Sequence, residues 1–219
     1  MRRRLPLYAA LSAVAICVEW LIYRATGAQG LLLASGVVIG AVVDAVVIAS
    51  VQSDIDGTSA QEMWSRVLER LWAVVIVNFI FSFISFFGVE LAAAGDLMDR
   101  ILSIPVLLIG VGTVFAEVVA VVSDEDPWWF LVVRAFGSSI RTAWTGNTLW
   151  RAIVLFLLQF VPFIVGSTLE PALTHNHVAI ASFWSNVPLG ILFSIPLDVL
   201  IVLAFFDASG YEPKRTCGE

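Results

Sequence analysis

Residues 117–150, EVVAVVSDEDPWWFLVVRAFGSSIRTAWTGNTLW, hold one acid in the last part of an apolar run, then an acidic turn, then an amphipathic run that ends in a tryptophan. Residues 44–72, DAVVIASVQSDIDGTSAQEMWSRVLERLW, repeat that order of parts. A partial third copy begins at Asp198. The pattern predicts a unit of span, acidic turn, interfacial helix and span, over about 30–93 and 101–169, with a partial unit at 185–207.

Composition says which solvent these units meet. Of the 219 residues, 59% are hydrophobic and only 14% charged, and mean hydropathy is +0.93. A water-soluble domain needs more polar covering than this, whereas lipid requires none. The expected class is all-α: a polytopic helical bundle forming one integral membrane domain over 1–219. A net charge of −6 with no basic face argues against nucleic acid. Cys17 and Cys217 read as unrelated free thiols, because neither suits a disulfide or metal-finger spacing.

Six runs are long enough to cross a bilayer at 1.5 Å per residue: 5–23, 30–51, 71–93, 101–122, 151–169 and 185–206. The first has a basic start, like a signal peptide, but it is long and lacks a good cleavage site, so it reads as a retained anchor. Gly36 and Gly40 form a GxxxG, a close-packing motif, in the second run. Ten Lys and Arg residues fall on one side of this arrangement and only Arg24 and Arg100 on the other. The positive-inside bias then predicts an inner (cytoplasmic) membrane protein of bacterial type with both termini in the cytoplasm.

The two longer cytoplasmic connections read as amphipathic helices lying in the interface. In the first, Thr58 and Gln61 have capping-box spacing, and Trp64, Val67, Leu68 and Leu71 form a stripe. In the second, Asp126 is placed to cap a helix that opens on Pro127, and Val133, Phe136, Ile140 and Trp144 form a stripe. Trp64, Arg66, Arg70, Arg134, Arg141 and Trp144 are the expected contacts to anionic lipid headgroups or to a partner.

The residues most able to carry chemistry are acids inside the spans. Asp44, Glu117 and Asp198 lie five to nine residues before the inner ends of spans two, four and six. Asn78, Gln159 and Ser12 lie at a similar depth in spans three, five and one. A carboxylate at the bilayer centre costs about 2.5–3.5 kcal/mol, so the three acids are expected to turn inward. No Lys or Arg lies inside a span to neutralise them. One expectation is a proton or cation site formed by Asp44, Glu117, Asp198, Asn78 and Gln159. Competing with it are neutral acids that simply lock helices together, or ion pairs with Arg134 or Arg141 dipping from the interface. Glu19 and Glu90, near outer span ends, are expected in contact with water, and His175 and His177 in a solvated loop without a third metal ligand.

Enzyme signatures such as H-E-x-x-H, G-x-S-x-G and the phosphate-binding loop are missing. No cofactor and no resident metal are expected. Two functional classes remain in front: a non-enzymatic accessory, assembly or lipid-associated scaffold subunit, and a small proton- or cation-coupled transporter or channel. An intramembrane hydrolase using paired acids stands third. Expected partners are the bilayer, anionic lipids, and another membrane protein or a second copy of the chain.

Overall fold

The computed structural model describes residues 4–26, 29–93, 96–123, 127–161 and 178–212. All regular structure among them is helical. In chain order the helices are α1 (Leu5–Thr26), α2 (Gln29–Asp56), α3 (Ala60–Ala93), α4 (Leu97–Thr113), α5 (Ala116–Val122), α6 (Trp128–Ala143), α7 (Thr148–Leu158) and α8 (Val178–Ser209). Three helical segments are long and apolar enough to cross a membrane: Ser35–Asp56, Ala60–Ala93 and Leu97–Val122. Pro6–Ile22 and Thr148–Leu158 are shorter apolar helices. The acidic triplet at 124–126, the second half of the fifth apolar run, Glu170, His175, His177 and Cys217 lie outside the described residues.

At the centre is α2, which touches α1, α3, α5 and α8. Its inner half, 41–53, is buried almost without interruption and is built from Ala, Val and Ser. Small side chains let neighbouring backbones approach closely, which is how helices gain packing energy where lipid removes the hydrophobic drive. The helix stops at Gly57, whose φ of +70° suits a residue without Cβ. There the Thr58 amide donates to the Ser53 carbonyl at 3.1 Å. The end of α8 is built the same way, with Gly210 at φ +64° and the Tyr211 amide on the Phe206 carbonyl.

Two details of the first connection differ from expectation. The capping box is formed by Ser59 and Glu62 rather than Thr58 and Gln61: the Ser59 amide donates to Glu62 Oε2 at 3.0 Å and the Glu62 amide to Ser59 Oγ at 3.2 Å. Beyond it the helix continues unbroken through the next apolar run, so α3 has 34 residues and is about 51 Å long. Nothing between Arg70 and Trp72 breaks it, since no Gly or Pro falls there. The face turned into the bundle holds Met63, Val67, Arg70, Val74 and Val77, whereas Trp64, Leu68 and Trp72 are exposed.

The second connection does form a separate helix, α6. It starts at Trp128 with Pro127 as its N-cap, one residue later than expected. Its packed stripe is Leu131, Ala135, Ser139 and Ala143, at strict i, i+4 spacing. Val133, Ile140 and Trp144 from the predicted apolar stripe point outward. Small residues won the inner face because α6 lies close against α3, α4 and α5.

The predicted fourth span is broken. Its backbone leaves the helix at Val114–Phe115, directly before Glu117. A hydroxyl from α6 fills the gap: the Phe115 amide donates to Ser139 Oγ at 3.0 Å, and Ser139 Oγ donates to the Gly112 carbonyl at 2.8 Å. Thr113 Oγ1 satisfies the Gly110 carbonyl at 3.0 Å. Irregular backbone at membrane depth survives only where protein supplies such partners. Gly110 and Gly112 admit the packing that makes this possible. A Cβ at Gly110 would lie 2.7 Å from the Phe156 ring, and one at Gly112 would lie 2.9 Å from Trp144 Nε1.

Candidate functional site

Asp44 of α2, Asn78 of α3, Glu117 of α5, Gln159 after α7 and Asp198 of α8 line one cavity of about 520 Å³. Each acid is positioned by a different local cause. Asp44 sits in the small-residue core of α2, Glu117 follows the clamped break, and Asp198 lies on the face of α8 that carries Ser194 one turn earlier. Asp44 and Asp198 are 7% and 9% exposed, and Glu117 is half-buried.

Asn78 Nδ2 donates to Asp44 Oδ2 at 2.9 Å, and Ser82 Oγ donates to Asn78 Oδ1 at 3.3 Å. The carboxyls of Asp44, Glu117 and Asp198 are near enough to act on one another electrostatically. An ionised carboxylate only accepts hydrogen bonds, so carboxyls gathered this way favour a shared proton or a bound cation. Among the described residues, two buried oxygens in this wall have no partner: Asp198 Oδ2 and Ser85 Oγ, Ser85 being 8% exposed. An unsatisfied buried polar group costs about 1–3 kcal/mol, more when charged. Among the described residues no Lys, Arg or His lines the cavity. Arg134 and Arg141 are exposed and do not reach the acids.

From the acid cluster the cavity follows one face of α3. Asn78, Ser82 and Ser85 recur at helical spacing, and Glu90 lines the cavity from five residues further on, so the lining covers about 18 Å of α3. Ser82, Ser85 and Ser194 were missed by the sequence reading, which weighed ionisable groups and amides. The signal that marks them is a hydroxyl three or four residues from an intramembrane Asn, Ser or Asp. Apolar walls come from Phe81, Phe86, Phe160 and Leu197.

Other expected residues are placed apart. Ser12 is buried but back-bonds to the Tyr8 carbonyl at 2.9 Å and does not line the cavity. Glu19, expected in water, is 7% exposed and lies against α2, where a Cβ on Gly36 would be 3.6 Å from its Oε1. Among the described residues a Cβ on Gly40 would meet nothing within 4 Å, so the GxxxG does not act here as a close-packing pair. Glu90 is exposed as expected. Of the six headgroup or partner contacts, Trp64, Arg134, Arg141 and Trp144 are exposed, but Arg70 is buried in the bundle. Arg66 borders a second, polar cavity of about 360 Å³ at the α2–α3 turn, with Gln52, Asp56, Glu62 and Glu69.

That end of the bundle is tied by a short polar chain. Gln52 Nε2 donates to the Tyr211 hydroxyl at 3.1 Å, which donates to Asp56 Oδ2 at 2.8 Å. Burial raises the pKa of Tyr211 above its ordinary value, against the opposing hydrogen bond from Gln52. The Tyr211 ring stacks on Phe206 at 4.1 Å. Arg4 pairs with Asp54 at 2.9 Å, and Arg151 pairs with Asp207.

Comparison with protein-family models, with curated proteins and with solved structures found no match.

Proposed function

We propose that this chain is a small multi-pass transporter or channel of a bacterial-type inner membrane, and that its acid-lined cavity exchanges protons for a cation. Six crossings, at the runs given above, put both termini in the cytoplasm and the acid cluster within the bilayer. The observation that carries the reading is the shared cavity: three acids meet at a space of about 520 Å³ in which Asp198 Oδ2 and Ser85 Oγ have no partner among the described residues. Acids that served only to lock helices would have their oxygens paired within the protein and would leave no such space. A break in a spanning helix beside the ligand site is also a recurring device in carriers, because it frees backbone and side chains to line a cavity.

In mechanism, the proton held between Asp44 and a neighbouring carboxyl is released when a cation arrives, so charge in the low-dielectric site stays nearly constant. Asn78 donates to Asp44 and orients its carboxyl toward the other two. Purified protein in liposomes, under an imposed pH gradient with sodium or an organic ammonium ion added outside, tests this with an internal pH dye. Wild type is expected to carry a proton or cation flux that the Asp44→Asn, Glu117→Gln, Asp198→Asn triple variant abolishes while remaining monodisperse. Flux that survives in the triple amide overturns the reading, as does its absence from the wild type.

The accessory or scaffold reading has its own support in the outward-facing Trp64, Trp72 and Trp144. It expects the triple amide to keep its assembly partners and neither form to carry flux.

A further inference from the structure

The size and walls of the cavity bear on what enters it. A bare monovalent ion is smaller than a water molecule's share of liquid volume, about 30 Å³, whereas pockets for organic ligands run from about 300 to 1,000 Å³. At about 520 Å³ this one belongs with the second group. Among the described residues no group of acids, His or Cys is arranged to hold a metal ion. The acids occupy one end, while Phe81, Phe86, Phe160 and Leu197 supply apolar wall.

The rings are held in place. Phe81 meets Phe156 edge to face with centroids 6.2 Å apart, and Phe156 meets Phe160 in the same manner at 5.1 Å. A cation attracts the negative face of such a ring, and the attraction grows when water is excluded. Charge without an organic body would leave the aromatic wall unused, and an apolar molecule without charge would leave Asp198 Oδ2 unpartnered.

Resting on the acid-lined cavity proposed above, we infer that its ligand is a lipophilic organic monocation: an ammonium head beside Asp198 and Asp44, with an apolar body against Phe81, Phe86 and Phe160. One positive charge enters and one proton leaves, so the exchange is one for one. Ser82 and Ser85 line the track that ends on exposed Glu90, and that carboxylate is the first charge a cation meets at its open end. Asp198 Oδ2 faces the positive head group, and water carried with a quaternary head, or the N–H of a protonated amine, gives Ser85 Oγ its partner.

Equilibrium binding to the full-length protein in nanodiscs tests this, with benzyltrimethylammonium, tetramethylammonium and sodium as probes and proton release followed in weak buffer. Benzyltrimethylammonium is expected to bind about tenfold tighter than tetramethylammonium and to release about one proton per molecule bound. Phe81→Leu, which keeps volume but removes the π-face, is expected to reduce that preference about threefold to tenfold. Asp198→Asn is expected to weaken binding at least about tenfold, with Asp198→Glu restoring part of it. Equal affinity for the two ammonium ions, together with acid-dependent flux of protons or sodium, overturns the organic-cation inference and leaves the transport reading standing. No binding of any probe and no acid-dependent flux overturns both. Selective binding that is unchanged in Phe81→Leu and Asp198→Asn puts the ligand elsewhere and also overturns the inference.

Discussion

Residues 44–72 and 117–150 present the same parts in the same order, yet their backbones differ where the acid sits. Asp44 lies in the middle of an unbroken helix of 28 residues. Glu117 lies in the first turn of a seven-residue helix, just after a break. The amphipathic part also differs, being the opening of a 34-residue helix in one case and a separate 16-residue helix in the other. Both stretches end on an outward tryptophan, Trp72 and Trp150. The comparison teaches that one pattern of polarity can serve a rigid post and a jointed arm. What separates them is not glycine content, since the unbroken α2 holds three glycines, but the partner available to free backbone groups.

The largest expected effect comes from removing that partner. Ser139→Val orphans the Phe115 amide and the Gly112 carbonyl together, at a cost of about 1–3 kcal/mol each. Thermal unfolding in micelles should fall accordingly, and acid-dependent flux should fall with it, because Glu117 follows the break. The same exchange at exposed Ser65 of α3 should change stability by less than about 0.5 kcal/mol. Equal effects at the two serines would erase the distinction between post and arm.

A smaller contrast separates two glycines. Gly110→Ala pushes a Cβ to 2.7 Å from the Phe156 ring, and overpacking of this kind costs about 1–3 kcal/mol. Gly40→Ala, on the unbroken helix, meets nothing within 4 Å and should gain about 0.5–1 kcal/mol from reduced backbone freedom. Denaturant titration of both variants should therefore move in opposite directions.

Helix ends come next. Gly57→Ala forces a Cβ into φ +70° and should cost about 1–2 kcal/mol, and Ser59→Ala should cost about 1 kcal/mol through the lost cap. The corresponding stop after α5 is Ser123 in extended backbone, so Ser123→Ala should be close to neutral. Last and smallest are the ion pairs. A double-mutant cycle on Arg151 and Asp207, both more than half exposed, should give coupling below about 0.5 kcal/mol, and one on the less exposed Arg4 and Asp54 somewhat more. Added salt should reduce both.

The inward turn of the acids was legible because each lies in an apolar run that excludes a lipid-facing carboxylate. Asn78 and Gln159 were legible for the same reason. Serines were not, since a hydroxyl can satisfy itself on its own helix, as Ser12 does. The apolar stripes of α3 and α6 are read from the sequence as facing the interface; Trp64, Leu68, Val133, Ile140 and Trp144 are exposed, whereas Val67 packs inward. In lipid, the small residues Ala135, Ser139 and Ala143 marked the packed side.

By itself the sequence determined an all-helical, membrane-compatible chain, the apolar setting of its acids, and where its Gly and Pro residues permit a stop or a break. These follow from solvation cost and backbone sterics, which act residue by residue. Only tertiary structure decided that the helix breaks at Val114–Phe115, that Glu19 is covered, and that the acids meet at the wall of a shared cavity. Each of these depends on a partner from a distant helix, such as the Ser139 hydroxyl at the break, and local sequence does not specify which partner arrives.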